Sequence, residues 1–169
     1  MSECVIAVLG LGGNVGEVPE TMRGALLRLD AQPQCHVIGA SSVYRTPPWG
    51  PVEQDWFHNA CATIRTRLSP EALLACVLET ERAFGRVRDQ RWGPRTLDID
   101  ILMYGDMEVS NDDLTIPHPR MTDRAFVMVP LAEIAADLEL GGRYVRDIAA
   151  GFADEPLERT DYRIWGKGA

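Results

Sequence analysis

Asp98 and Asp100 stand two residues apart in Thr96-Leu97-Asp98-Ile99-Asp100-Ile101. On a strand this spacing projects both carboxylates from one face, while Leu97, Ile99 and Ile101 enter the other. Such a pair taken alone is more often a solvent-facing acidic stripe than a metal site, because one face of an antiparallel sheet can be polar. Aspartate is a poor strand former, however, and two like charges about 6–7 Å apart in mid-strand cost stability unless a cation lies between them. Oxygen ligands of this kind beside a cationic loop suit Mg2+ shared with a polyphosphate. The cationic loop is present. Arg86, Arg88, Arg91 and Arg95 fall between Gly85 and the aspartates, and guanidinium forks bind phosphate oxygens bidentately without losing charge. The competing reading is a solvated arginine face in a chain that uses almost no lysine.

Other residues could complete such a site. His118 lies between Pro117 and Pro119, which fix its backbone, with Thr115 before it and Arg124 six residues after it. A lone histidine is more often structural, but one held in a rigid loop can donate to a phosphate oxygen. Phe57 and Phe126 read first as core. Asn59 lies two residues along the same strand from Phe57, so an aromatic platform with an amide beside it is a second reading, suited to a flat heterocycle. Gly12-Gly13-Asn14 is a weak signal alone, as most such glycines only turn the chain.

The elements that must position these residues follow from the apolar pattern. Val5 to Leu11 reads as a buried strand running into the glycine turn. A helix begins with Pro19 at its first position, carries Met22, Leu26 and Leu29, and stops before Pro33. Val37 to Tyr44 is a second strand, and Thr46-Pro47-Pro48-Trp49-Gly50-Pro51 must be a loop. Phe57 to Thr66 is a third strand. Ser69-Pro70-Glu71 starts a helix that Gly85 closes, and Thr96 to Tyr104 is a fourth strand. The order β-α-β-β-α-β gives an α+β, ferredoxin-like fold with extra C-terminal helices and short strands. After it come a rigid turn at Ile116–Pro119, a helix over Met121 to Ile134 broken at Pro130, and a short helix over Tyr144 to Phe152. The tail from Asp154 either adds an edge strand or frays, with 155–169 peripheral to one domain spanning 1–169.

Composition removes several function classes. The 169 residues have ordinary apolar and charged fractions, and a net charge of −8 disfavours nucleic acid and anionic membrane as partners. No apolar run approaches a membrane span and the first residues lack a secretory n-region, so a cytoplasmic location is expected. Lys167 is the one lysine, which excludes a Walker A loop and Schiff-base chemistry. Cys4, Cys35, Cys61 and Cys76 form no C-x-x-C pair, and with His36, His58 and His118 they complete no zinc set. No residue stands out as a general base.

Together, four stretches resemble one family, the 6-hydroxymethyl-7,8-dihydropterin pyrophosphokinases of folate biosynthesis. They are Leu11-Gly12-Gly13-Asn14; Tyr44 through Pro51 with Phe57 and Asn59; Gly85 through Ile101; and Leu114 through Met121 with Arg124-Ala125-Phe126. The run Arg91-Trp92-Gly93-Pro94-Arg95-Thr96-Leu97-Asp98-Ile99-Asp100 is the most specific of these. Gly13 departs from the usual serine, Asp113 from a basic residue, and Phe57 from a tyrosine seen in some members. The resemblance implies a transfer of pyrophosphate in which the pterin hydroxymethyl oxygen attacks the β-phosphorus of ATP and AMP leaves. It implies two Mg2+ ions on Asp98 and Asp100, and ATP phosphates gripped by Arg86, Arg88, Arg91 and Arg95. His118, Thr115 and Arg124 would lie on the same nucleotide, with Leu74, Glu81 and Ile101 along its path. The pterin would lie between Phe57 and Phe126, its edge read by Asn59 and by Thr46, Pro47, Pro48 and Trp49, with Trp92 and Arg95 closing over it. A monomer acting on ATP and the pterin, with no nucleic acid or membrane partner, is the expectation. The alternative is a non-catalytic pterin- or nucleotide-binding module of the same fold.

Overall fold

The computed structural model describes residues 3–48, 50–51, 53–86 and 95–166. Strand β1 (Val5–Gly13) is the centre of the sheet, pairing antiparallel with β4 (Phe57–Thr66) on one side and with β5 (Asp98–Tyr104) on the other. Two short strands, β2 (Cys35–Ala40) and β3 (Ser42–Thr46), both pair with β4. Numbered within the βαββαβ repeat, the core strands lie in the order fourth, first, third, second. A further strand, β10 (Glu158–Arg163), pairs with the outer side of β3. The hairpins β6 (Val109–Ser110) with β7 (Thr115–Ile116), and β8 (Glu139–Leu140) with β9 (Arg143–Tyr144), stand apart from this sheet.

The period of two along each strand sorts the side chains onto two faces. Leu9 and Leu11 of β1, Ala60, Ala62 and Ile64 of β4, and Ile99 and Ile101 of β5 share one core with α1 (Val18–Asp30) and α2 (Pro70–Ala83). Alpha-helix α2 starts where Ser69 accepts a hydrogen bond from the Ala72 amide, with Pro70 in the first turn. It ends at Gly85, whose φ of 83° is the left-handed conformation that glycine adopts without steric cost. On the opposite face, Val8, Cys61 and Leu102 pack beneath α3 (Ala125–Ala135) and α4 (Val145–Ala150). Those helices cover only half of that face, and the other half is open. Among the described residues no helix is long and apolar enough to cross a membrane.

Several elements differ from the sequence expectation. Strand β1 runs on through Gly12 and Gly13, where the glycines suggest a turn, and the last short helix covers Val145–Ala150, Tyr144 pairing instead in β9. The second strand is broken at Ser41, whose backbone amide donates to the Cys61 carbonyl (2.8 Å) while its hydroxyl accepts from the Cys61 amide (2.9 Å). A side chain thereby takes the place of a main-chain acceptor in the ladder, and β2 and β3 are offset around it. The helix placed over Met121 to Ile134 starts at Ala125, after a 3-10 turn at Met121–Asp123, and runs through Pro130 unbroken. Val127, Met128, Pro130 and Leu131 are all buried, so apolar packing outweighs the one hydrogen bond that proline removes. The fourth strand begins at Asp98 rather than Thr96. Replacing Ser41 with alanine leaves the buried Cys61 amide without its acceptor, and a denaturant melt is expected to show a loss of about 1–3 kcal/mol.

Candidate functional site

On the open half of the sheet the outward positions are Gly10 and Gly12 of β1, Asp98 and Asp100 of β5, and Phe57 and Asn59 of β4. The register sets them side by side: Gly10 opposite Asp100, and Gly12 opposite both Asp98 and Asn59. Two glycines in mid-strand leave a floor without side chains. They open a cleft of about 550 Å³, walled by Thr46, Pro47, Pro48, Arg95, Arg120, Arg124, Phe126 and the segment Phe152–Leu157. A Cβ on Gly12 would lie 2.9 Å from Asn59 Oδ1, so the glycine is what lets that amide oxygen reach over the floor. Asn59 Nδ2 donates to Thr46 Oγ1 (3.0 Å), which ties the side chain to the wall of the cleft.

At the other end of the cleft the charges are interlocked. Glu81, on the last turn of α2, is buried, accepts the Ile99 amide at 2.7 Å and pairs with Arg86 at 3.4 Å. Arg86 Nη1 in turn contacts Asp98 Oδ1, and Arg95 Nη1 meets Asp98 Oδ2 at 2.7 Å. Both oxygens of Asp98 are therefore held by guanidinium groups. The Nε–H of Arg86 is buried with no acceptor among the described residues. Asp100 accepts no hydrogen bond among them, and burial together with the Asp98 charge pushes its carboxyl up to about 6. An uncompensated carboxylate beside a second one is a place where a cation is favourable. Among the described residues no group of three or more acidic, histidine or cysteine side chains gathers, so two carboxylates are what those residues offer here. That donor set fits Mg2+, which takes one or two carboxylates and fills its shell with phosphate oxygens and water.

The remaining expected site residues fall in three places. Arg124 lies in the same cleft with its guanidinium over the Phe126 ring at 5.5 Å. His118 does not line the cleft but a second cavity with Met103, Ile116, Pro117 and Met121, where burial, and after it Arg124 and Arg120, hold its imidazole below its ordinary pKa. Its Nδ1 accepts the Arg120 amide at 3.3 Å, so the neutral ring carries its proton on Nε2. Thr115 is exposed on β7. Glu81 and Ile101 are buried, and Leu74 packs against the same core, so these three lie beneath the cleft surface. Trp49, Arg88, Arg91 and Trp92 lie outside the described residues. Sequence reasoning missed Asn14, Arg120, Asp123 and Phe152–Leu157. Arg120 and Asp123 sit inside a stretch already singled out, and Asn14 follows two glycines. Phe152–Leu157 gave no signal, because it reaches the cleft only through β10 pairing with a strand more than a hundred residues earlier.

A family model described as 7,8-dihydro-6-hydroxymethylpterin-pyrophosphokinase matches residues 8–136. Curated relatives bear the name 2-amino-4-hydroxy-6-hydroxymethyldihydropteridine pyrophosphokinase. The one from Methylorubrum extorquens is 48% identical over 155 residues, 92% of this chain and 98% of that one. That from Synechocystis sp. is 48% identical over 135 residues, covering 80% and 69%. That from Haemophilus influenzae is 42% identical over 154 residues, covering 90% and 96%. Among solved structures, Plasmodium falciparum HPPK-DHPS with pteroate superposes with a TM-score of 0.71 at 15% identity. This chain spans 43% of that protein's length, and the likeness speaks for the fold alone.

Because the folded state raises the Asp100 pKa to about 6 from an ordinary 3.8, it binds more protons than the unfolded chain between those values. The Asp100 contribution to the stability of the metal-free protein therefore falls as pH rises from about 4 to 6. Asp100→Asn removes the penalty: above pH 6 it is expected to melt later than the parent, by about 1–2 kcal/mol, with a flatter profile over the same window.

Proposed function

The chain belongs to the 7,8-dihydro-6-hydroxymethylpterin-pyrophosphokinase family and is an ATP-dependent diphosphokinase of folate biosynthesis, and we propose that the open half of its sheet is where pyrophosphate passes from ATP to the pterin. The observation that carries this reading is the division of one cleft into two chemistries. Two carboxylates stand at one end with Arg95, backed by Arg86. Phe57, Asn59 and Thr46 stand at the other, and Arg124, with its guanidinium 5.5 Å over the Phe126 ring, lines the same cleft.

The pterin lies between Phe57 and Phe126, where a flat ring gains stacking on both faces. Asn59 Oδ1, above Gly12, accepts from its amino edge, and Thr46 and Pro47-Pro48 close that side. The triphosphate lies toward Asp98 and Asp100. Arg86 and Arg95 hold Asp98 in the free protein and turn onto the phosphate oxygens when nucleotide enters, the unpartnered Nε–H of Arg86 supplying one donor. His118 donates through Nε2, and Arg124 neutralises from the Phe126 side. Arg88, Arg91 and Trp92 are proposed on the resemblance alone. Asp98 and Asp100 hold Mg2+ with the phosphates, two ions in our reading, and the metal supplies neutralisation of the β- and γ-phosphate charge. The pterin hydroxymethyl oxygen attacks the β-phosphorus and gives its proton to water, the bond from the β-phosphorus to the oxygen shared with the α-phosphate breaks, and AMP leaves with that oxygen. No residue of this cleft is required as a covalent nucleophile, since phosphoryl transfer depends on positioning and charge neutralisation. The same chemistry disfavours a binding-only module, for which arginine-held carboxylates have no use.

The test is AMP release from ATP and Mg2+ with and without 6-hydroxymethyl-7,8-dihydropterin. AMP is expected only with the pterin, and at background level in Asp98→Ala, whose fold is retained. ADP as product, or near-parental turnover in Asp98→Ala, would overturn the reading.

A further inference from the structure

Asn14 is the first residue beyond β1 and is 6% exposed. Its carboxamide joins two distant segments. Nδ2 donates to Gln54 Oε1 (2.8 Å) and to the Asp55 carbonyl (3.0 Å), while Oδ1 accepts the Arg95 amide (2.9 Å). The orientation is forced, because an amide N–H can only donate and a carbonyl can only accept. The main chain adds to the seam: the Asn14 and Val15 amides both donate to the Arg95 carbonyl, at 2.8 and 3.1 Å. Gly13 makes the approach possible, since a Cβ there would lie 2.7 Å from the Thr96 carbonyl oxygen.

The two joined segments carry opposite ends of the site. Gln54 and Asp55 belong to the loop that continues from the Thr46–Pro48 wall to Phe57. Arg95 is the residue whose guanidinium meets Asp98. Resting on the proposed function, we infer that Asn14 is a positioning residue for the transfer: one carboxamide fixes the separation between the pterin wall and the Arg95–Asp98 pair. Asn14 itself touches neither substrate. Its effect comes through geometry, and reacting groups misplaced by about 1 Å can lose about a hundredfold in rate.

Two variants take the device apart. In Asn14→Asp one oxygen still accepts the Arg95 amide, but the other is repelled by the Asp55 carbonyl and keeps only what Gln54 can donate by turning its amide, so the pterin-side joint alone is weakened. In Asn14→Ala both joints are lost. Amide exchange in the substrate-free protein is expected to rise at Arg95 in Asn14→Ala and to stay at the parental rate in Asn14→Asp. In steady-state kinetics Asn14→Asp is expected to raise KM for the pterin about fivefold or more with KM for ATP changed less than about twofold, and Asn14→Ala to lower kcat about tenfold besides. Equal exchange at Arg95 in both variants would overturn the inference. So would a uniform loss of active enzyme with both KM values unchanged, which would make Asn14 a fold determinant only. A parent protein without turnover would count against the proposed function, while the exchange comparison would still decide whether Asn14 holds Arg95.

Discussion

The buried carboxylate of Glu81 ties the end of α2 to the edge strand that carries the aspartates, and the site is built outward from it. Burying a charge costs several kcal/mol unless hydrogen bonds and a counter-ion replace the lost water. Here the Ile99 amide and Arg86 do so. Arg86 thereby leaves the helix end pointing at Asp98, where Arg95 meets it from the other side. Glu81 thus fixes an arginine, and two arginines fix an aspartate, before any ligand arrives. Asp100, one pleat further along, has no ion pair among the described residues and feels Arg124 and Arg86 only at longer range. Like charges on one strand face would be a defect in a purely structural sheet. On the proposed function, the adjoining arginines and an incoming phosphate with its metal would complete the charge balance.

The second constraint is coverage. The face packed by α1 and α2 is apolar over the middle of β1, β4 and β5, whereas the opposite face is covered by α3 and α4 only as far as Val8, Cys61 and Leu102. Beyond that line the same strands turn to glycine, aspartate and asparagine. The two halves of one sheet face therefore serve as core and as cleft floor. Helix α3 contributes to both, burying Val127, Met128 and Leu131 while presenting Phe126 at its first turn.

Much of this was legible in the residues. Alternation over Thr96 to Tyr104 placed both aspartates on one face, and Ser69-Pro70-Glu71 with Gly85 bounded α2 closely. The break at Ser41 was not legible, because a serine inside a run of β-formers shows no sign that its hydroxyl will substitute for a carbonyl. Pro130 suggested a broken helix, since proline's cost is local and visible while the packing that offsets it is tertiary. The wall at Phe152–Leu157 depends on β10 reaching β3, held there by Arg159 bonded to Glu133 at 2.9 Å and Thr160 bonded to the Val43 carbonyl at 2.7 Å. Such pairings join residues with no shared local pattern. Asn14 was visible only as the end of a glycine turn.

The central claim is that Arg86 and Arg95 leave Asp98 for phosphate, freeing its oxygens for a cation. Calorimetric ATP affinity with and without Mg2+, in the parent and in Asp98→Asn, tests it directly. The expected result is that Mg2+ tightens ATP binding in the parent, while the variant binds metal-free ATP at least as tightly as the parent does and loses most of the gain from Mg2+. An undiminished gain from Mg2+ in Asp98→Asn would contradict the account.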